Sequence, residues 1–132
     1  MKYLVDTNIL IYLMNSKSLK LQNKFTSKSI EKFCVSSITV AELIYGAKKS
    51  KKIEKNLNAA IKILSVFKII DFTSMDAFEY GDIRADLELQ GNIIGANDLL
   101  IAAQARRLNL VVLTANIKEY NRVKGLKVEN WV

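Results

Sequence analysis

Short apolar runs rich in Val, Ile, Leu, Phe and Tyr recur along the chain, and runs of this kind predict β-strands. The candidate strands are residues 2–6, 33–36, 67–72 and 110–114, with a less apolar fifth candidate at 127–129. The runs at 2–6 and 110–114 are apolar almost throughout, which is typical of strands buried on both faces of a sheet. The pattern therefore predicts a sheet that is covered on both sides.

Longer segments between these strands place apolar residues at helical spacing, with a period near 3.6 in residues 51–66. The predicted helices cover residues 8–14, 18–31, a stretch that ends near 49, 51–66, 76–90, and a stretch from 97 or 98 to 108. Polar residues that favour helix N-caps stand at the start of three of them: Ser37 or Thr39, Thr73 or Ser74, and Asn97 or Asp98.

Strands that alternate with helices predict an α/β fold, a three-layer α/β/α sandwich with a mainly parallel central sheet. Proline is absent, the five glycines are scattered, and no linker, repeat or low-complexity stretch divides the chain. We therefore expect residues 1–132 to form a single domain. Sites in such sheets form outside the carboxyl ends of the strands, near a switch in strand order.

The composition excludes several kinds of chemistry. The chain contains no histidine, which excludes serine hydrolases with a histidine base, cysteine–histidine nucleophiles and histidine-bound zinc. The single cysteine, Cys34, cannot form an internal disulfide and lies in an apolar run, so we expect it to be a small buried hydrophobe. This use of cysteine predicts a cytoplasmic location.

The start of the chain superficially resembles a signal peptide, but Asp6, Thr7 and Asn8 interrupt its apolar region. No small-residue cleavage site follows, and no apolar run approaches the roughly 18 residues of a membrane span. We therefore expect a strand that enters a helix, and no association with a membrane.

The net charge of +7, from 20 basic and 13 acidic residues, favours a polyanionic partner. One set of lysines is spaced three or four residues apart, as on one face of a helix: Lys17, Lys20, Lys24, Lys28 and Lys32. A second, denser set comprises Lys48, Lys49, Lys51 and Lys52. Solvated helix faces explain many such lysines without a ligand, and we expect the second set to contact a phosphate backbone.

Polar side chains interrupt otherwise core-like stretches at four places: Asp6, Glu42, Asp98, and Asn116 with Glu119. A carboxylate removed from water is costly unless it is paired or holds a metal. Asp6 and Asn116 follow the carboxyl ends of predicted strands, where sites form. The alternatives are that Asp6 only caps the following helix and that Glu42 lies on a helix surface.

Magnesium and manganese prefer oxygen ligands. Asp6, Glu42 and Asp98 offer three carboxylates, and Asn116 or Glu119 offers a fourth source of oxygen. Bound metal ions activate water and offset charge on a phosphate. A chain without histidine can therefore hydrolyse phosphodiesters by this route if the fold brings these acids together.

Four short motifs occur together in this chain: Asp6-Thr7-Asn8, Ala41-Glu42-Leu43, Asn97-Asp98-Leu99 and Leu113-Thr114-Ala115-Asn116. In this combination and order, the sequence resembles PIN-domain proteins, and in particular the VapC-type toxin ribonucleases of bacterial toxin–antitoxin pairs. The resemblance extends over essentially the whole chain and includes the stretch from Asn116 to Tyr120.

The resemblance implies that Asp6, Glu42 and Asp98 are the catalytic, metal-binding acids of an endoribonuclease that depends on Mg²⁺ or Mn²⁺. Asn116 stands where many PIN proteins carry a fourth acid. An amide is a weaker, uncharged ligand, so Glu119, three residues on and on the same helix face, is the candidate replacement.

Three further polar residues have supporting roles by the same resemblance. Thr7 and Asn8 would position the Asp6 carboxylate or a coordinated water, and Thr114 would supply a hydroxyl behind it. A plain role at the end of a strand is the alternative for Thr114.

The family also implies partners. The substrate would be structured RNA, often transfer RNA, and its cleavage would inhibit translation. A small antitoxin of the VapB type would mask the active site and usually bring a DNA-binding module. Free VapC-like domains typically pair as homodimers within larger toxin–antitoxin assemblies, and the helices around 38–47 and 53–64 are candidate surfaces.

Other aspartate-based families fit less well. Haloacid dehalogenases need a second aspartate two residues after the first, where this chain has Asn8. Receiver domains need an early acidic pair, which is missing here, and Asp71 is the only candidate phosphoacceptor. An inactive PIN-fold binding module and a DNA nuclease of the same fold remain as alternatives, and the three core acids argue against the first.

Overall fold

The computed structural model describes residues 1–15 and 18–132. Within these residues, five strands form one parallel sheet: β1 (Tyr3–Val5), β2 (Phe33–Ser36), β3 (Lys68–Ile70), β4 (Val111–Leu113) and β5 (Lys127–Glu129). Their spatial order is β3-β2-β1-β4-β5. The chain therefore adds β2 and β3 on one side of β1, and then β4 and β5 on the other side.

Helices fill the connections between the strands. In the described part of the chain they are α1 (Thr7–Met14), α2 (Leu19–Thr26), α3 (Ser37–Lys48), α4 (Ile53–Leu64), α5 (Ser74–Leu89), α6 (Ala96–Arg107) and α7 (Ile117–Tyr120). A 3₁₀ turn at Ile30–Lys32 leads into β2. The predicted α/β/α sandwich with a parallel sheet is confirmed.

Alternation along the central strands divides the apolar core into two layers. Leu4 of β1 and Val112 of β4 face the layer that α5 and α6 cover, and Cys34 lies with them as a buried hydrophobe. Tyr3 and Val5 face the opposite layer, against α1, α3 and α4. Because both faces are covered, β1 and β4 are apolar throughout, as the sequence predicted.

The predicted helix at 18–31 is wrong in its second half, because α2 ends at Thr26. The hydroxyls of Thr26 and Ser27 donate to the carbonyls of Asn23 and Lys24, a local bonding pattern that competes with helix continuation. No large apolar residue follows Phe25 until Ile30, so the next turn has nothing to bury.

The predicted lysine face consequently does not exist as one helix face. Lys28 and Lys32 lie beyond the end of α2, and Lys17 lies outside the described residues. The ammonium groups of Lys24 and Lys28 instead lie 5.5 and 5.7 Å from the centre of the Trp131 ring. These contacts give two of the lysines a structural role.

Two of the three predicted N-caps also differ. Ser36 caps α3, and its hydroxyl accepts from the amide of Ile38 at 3.0 Å, because β2 runs into α3 without a linker. Gly95 is the N-cap of α6, two or three residues before the residues expected to open that helix. Thr73 caps α5 with a complete capping box, as predicted.

No helix among residues 1–15 and 18–132 combines the length and the apolar character that crossing a membrane requires.

Candidate active site

Asp6 is placed at the switch in strand order. It follows β1 and caps α1, with its carboxylate Oδ1 accepting from the amide of Thr7 at 2.8 Å. On the neighbouring strand, Leu113 pairs with Val5, so the next residue, Thr114, stands beside Asp6. The Thr114 hydroxyl donates to Asp6 Oδ2 at 2.8 Å. Asp6 therefore caps α1, and its carboxylate also belongs to a cluster of polar side chains that includes Thr114.

Asn8 ties the start of α1 to the end of β4. Its side-chain oxygen accepts from the amide of Ala115 at 3.1 Å, and its amide nitrogen lies 3.4 Å from both Asp6 Oδ2 and the Thr114 hydroxyl. The Asp6 carboxylate is therefore held from both neighbouring segments, and only 4% of the residue is exposed.

Glu42 projects from α3 toward the same place. The hydroxyl of Thr7 donates to its Oε1 at 2.7 Å and lies 3.3 Å from the hydroxyl of the buried Thr39. Thr7 thus contacts Asp6 through its backbone and Glu42 through its side chain. It fixes the two carboxylates relative to each other.

Asp98 lies in the first turn of α6 and is half-buried. Its Oδ1 accepts from the hydroxyl of Tyr120 at 3.1 Å. Tyr120 ends α7, and its side chain is fully buried. No role was predicted for the hydroxyl of Tyr120, which borders the acidic centre.

Asn116 and Glu119 contact each other rather than acting as equivalent acids. The side-chain amide of Asn116 donates to Glu119 Oε2 at 3.0 Å. The backbone amide of Asn116 donates to the Thr114 hydroxyl at 2.9 Å. Asn116 therefore orients the Glu119 carboxylate from the position of the usual fourth acid.

Burial and repulsion between the carboxylates raise the pKa values of Asp6 and Asp98. Burial, with the charge of Glu42 as a smaller cause, raises the pKa of Asp6. Burial first, then the charges of Asp6 and Glu119, raise the pKa of Asp98 to about 6. Within the described residues, the ion pairs found involve none of these four acids. Among residues 1–15 and 18–132, the four carboxylates therefore form one electrostatic unit without a salt-bridge partner.

The acids lie near one another but are not closed around a common point. In the part of the chain that the structure describes, no three acidic or cysteine side chains are arranged to enclose a metal ion. The donor set nevertheless fits a hard cation, because all its members are oxygens and raised pKa values mark charges that a cation would offset. The fit is one of chemistry, and closing the site requires side-chain movement.

The predicted basic cluster is divided by the fold. Lys49 lines the cleft that Glu42 and Thr7 also line. Lys52 instead borders a separate depression at the start of α4. Lys48 ends α3 and Lys51 lies in the turn before α4, both exposed. Of the four lysines, Lys49 is the one that the structure brings to the wall of the acidic centre, and RNA contact stays a prediction for all of them.

Comparisons with known proteins agree with this fold. A family model described as the PIN domain matches residues 3–126. The chain is 44% identical over 132 residues to Ribonuclease VapC2 of Haemophilus influenzae, covering 100% of this chain and 99% of that protein. It is 38% identical to the tRNA(fMet)-specific endonuclease VapC of Shigella flexneri, covering 99% and 98% of the two chains.

A solved structure is similarly close. The crystal structure of VapBC2 from Rickettsia felis, bound to a DNA fragment from their promoter, contains a chain that superposes with a TM-score of 0.92. That chain is 42% identical, and the match covers 100% of both chains. The protein therefore belongs to the PIN-domain family and, within it, to the VapC group of ribonucleases.

Proposed function

We propose that this protein is the toxin of a toxin–antitoxin pair, an endoribonuclease that depends on a divalent cation and cleaves structured RNA. One observation carries the proposal: Asp6, Glu42 and Asp98 lie near one another at the carboxyl edge of the central strands, where the strand order switches. The family and its named ribonucleases support the reaction class.

The cation would be held by Asp6 and Asp98, with Glu42 and Glu119 on either side. Mg²⁺ and Mn²⁺ both suit such oxygen donors. When bound, the ion would activate a water and offset the charge that develops on the phosphate. Asn116 itself supplies no charge, and its amide donates to Glu119, so the fourth carboxylate of this group is that of Glu119.

The residues around the acids would keep them oriented before substrate arrives. Thr114 and the Thr7 amide hold the two oxygens of Asp6, the Thr7 hydroxyl holds Glu42, and Tyr120 holds Asp98. Groups fixed in advance need little reorganisation during the reaction. Asn8, which locks α1 to the end of β4, would preserve the distance between Asp6 and Thr114.

Substrate and partners follow from the relatives. The Shigella protein is named a tRNA(fMet)-specific endonuclease, so transfer RNA is the first substrate to test. The Rickettsia structure is of VapBC2 bound to a DNA fragment from their promoter, which supports a VapB-like antitoxin as the partner. We propose that this antitoxin masks the active site. We further propose a homodimer within that assembly, acting in the cytoplasm.

The test is cleavage of transfer RNA by the purified protein. Asp6→Asn, Glu42→Gln and Asp98→Asn should each lower the rate by about 100-fold or more, since each removes a ligand charge while keeping the side-chain shape. EDTA should abolish cleavage, and Mg²⁺ or Mn²⁺ should restore it. Glu54→Gln, at an exposed glutamate of α4, is the matched control and should cleave normally.

Contrary outcomes separate the alternatives. Full activity in EDTA, or equal activity of Glu42→Gln and Glu54→Gln, would reject the metal mechanism. Preference for single-stranded DNA over transfer RNA would indicate a DNA nuclease of the same fold. Absence of cleavage under all ions, with intact antitoxin binding, would indicate an inactive binding module.

A further inference from the structure

A cleft of about 550 Å³ opens beside the carboxylate centre, between α3 and the starts of α1 and α6. Thr7 and Glu42 form the wall that it shares with the acidic centre, and Tyr45, Gly46 and Lys49 continue it along α3. Its volume lies in the range, roughly 300–1,000 Å³, that is usual for small-ligand sites. The acids explain one end of the cleft, and the remainder has no assigned role.

Tyr45 is the most conspicuous residue of that remainder. It lies one turn after Glu42 on the same face of α3, lines the cleft and is 65% exposed. A large aromatic side chain gains little for the fold when it stays in water. The ring is therefore available to a ligand that enters the cleft.

The surroundings of the ring indicate the chemistry of that ligand. The ammonium of Lys49 lies 5.0 Å from the ring centre of Tyr45, a cation–π distance that keeps a positive charge beside the aromatic surface. Gly46 adds no side chain, and a Cβ built there would meet nothing within 4 Å. The cleft thus offers a flat apolar surface, one cation and open space next to a proposed phosphate-cleaving centre.

We propose that Tyr45 is a stacking platform for an unpaired nucleobase of the RNA substrate, and that Lys49 contacts the phosphate of the same nucleotide. An aromatic ring with a neighbouring cation is the combination that binds single-stranded nucleic acid without needing a particular base. This inference rests on the proposed function, because the stacked nucleotide would flank the phosphate that is hydrolysed at the acidic centre.

The experiment compares RNA binding and cleavage by Tyr45→Ala, Tyr45→Leu and Tyr45→Phe. Binding of a short fluorescein-labelled unpaired RNA is followed by anisotropy in EDTA, so that no cleavage occurs, and kcat and KM are measured on transfer RNA with Mn²⁺. Phe78→Ala is the matched control, because Phe78 is an exposed aromatic residue (76%) on α5. Melting curves check that each variant is folded.

Tyr45→Ala and Tyr45→Leu should weaken RNA binding and raise KM by roughly 5- to 150-fold, the range expected for the loss of one base–aromatic stack. The value of kcat should change little, because stacking holds substrate and transition state alike. Tyr45→Phe and Phe78→Ala should behave as the native protein does. Lys49→Gln should lower the salt dependence of RNA binding by about one phosphate contact.

Three results would overturn the proposal. Native RNA binding and KM in both Tyr45→Ala and Tyr45→Leu would show that no base stacks there. Native RNA binding combined with a changed oligomeric mass or weakened binding of a VapB-type antitoxin would make this face a protein contact instead. Equal losses in Tyr45→Phe would assign the effect to the hydroxyl. In each case the native protein still cleaves RNA, so failure of the proposed function is recognised separately, by a native protein that neither binds nor cleaves it.

Discussion

Tyr120 shows how much of the acidic centre depends on contacts that are distant in sequence. Its ring satisfies the apolar pattern of the core, so the sequence gives no sign that its hydroxyl has a specific task. A buried hydroxyl needs a partner, and the partner is Asp98, 22 residues earlier. The motifs predicted Asp6, Glu42 and Asp98 as candidate site residues, whereas no motif pointed to the hydroxyl of this tyrosine.

Tyr120→Phe should disturb Asp98 while leaving the ring and the core in place. The hydrogen bond from Tyr120 lowers the pKa of Asp98 against the effect of burial, so its removal should raise that pKa above about 6. The free energy of unfolding should fall by about 1 kcal/mol. An NMR titration of the Asp98 carboxyl carbon measures the pKa, and Tyr12→Phe, at a partly buried tyrosine of α1, is the control. An unchanged titration would mean that the hydrogen bond has no influence on Asp98.

Substitutions at Asn116 and Glu119 that change the charge should have opposite effects on metal binding. Glu119→Gln removes a charge from the acidic unit and should weaken Mn²⁺ binding more than Asn116→Ala does. Asn116→Asp replaces a donor that lies 3.0 Å from Glu119 with a like charge. The metal-free variant should therefore be less stable, and its Mn²⁺ affinity should be higher. Calorimetric titration measures the Mn²⁺ affinity, and thermal melting measures the stability of the metal-free variants. Identical Mn²⁺ affinities in all three variants would place Asn116 and Glu119 outside the metal site.

At the scale of elements, the strands were the most predictable part. Each predicted run contains an observed strand, and four parallel pairings join the five strands, although each strand is shorter than or equal to its predicted range. Helix boundaries were less predictable. The end of α2 depends on Thr26 and Ser27 bonding back to the chain, and the start of α6 depends on Gly95, which has no side chain to act as a cap. Apolar periodicity carries no information about either of these helix ends.

Gly95 has a second role at the start of α6. Its φ of −57° suits any residue, but a Cβ at this position would lie 3.3 Å from Asp98 Oδ2. Gly95→Ala should therefore push the Asp98 carboxylate aside and weaken Mn²⁺ binding and RNA cleavage, with a small change in melting temperature.

Gly81→Ala is the matched control for this substitution. Gly81 lies inside α5, where a Cβ would meet nothing within 4 Å. That substitution should stabilise the protein by roughly 0.5–1 kcal/mol and leave cleavage unchanged. If Gly95→Ala cleaved RNA as well as Gly81→Ala does, Asp98 would have room to move without loss of function.

At the scale of the whole molecule, the sheet topology is what assembles the site. Residues 6, 42, 98 and 119 belong to four different segments, and they meet because β1 lies between β2 and β4. The motifs identified three of these acids, and the family resemblance placed them in one centre. No pattern in the sequence could show that Thr7 spans two of them or that Lys49, alone of its cluster, lines the adjoining cleft.

Concentrating acids at one edge makes the stability of the metal-free protein depend on pH. The pKa of Asp98 is raised from 3.8 to about 6 in the folded protein. A carboxyl group with a raised pKa stabilises the fold while it is protonated, so this contribution is complete below about pH 4 and is lost as the pH rises through about 6. In EDTA, the melting temperature should fall across this interval, and Asp98→Asn should fall less and be more stable at neutral pH.

Bound metal should reverse the order of stability of the native protein and Asp98→Asn at neutral pH. A cation that binds only the folded state stabilises it by about 2.7 kcal/mol at a hundredfold excess over its dissociation constant, which is a shift of several degrees in melting temperature. Asp98→Asn should show a smaller shift. The melting temperature of the native protein could instead be unchanged by Mn²⁺ at concentrations that support cleavage. That result would mean that the ion binds only together with RNA.

Locating Mn²⁺ in a crystal would show whether these acids form the metal site, because Mn²⁺ scatters anomalously and can be located without reference to activity. We expect an anomalous peak at the carboxyl edge of β1, within coordination distance of carboxylate oxygens of Asp6 and Asp98, with Glu42 or Glu119 turned toward it. Asp98→Asn crystals soaked in the same way should show a much weaker peak. A native crystal with no peak at this edge, grown from protein that cleaves RNA in the same Mn²⁺ buffer, would contradict the claim that these acids form the metal site.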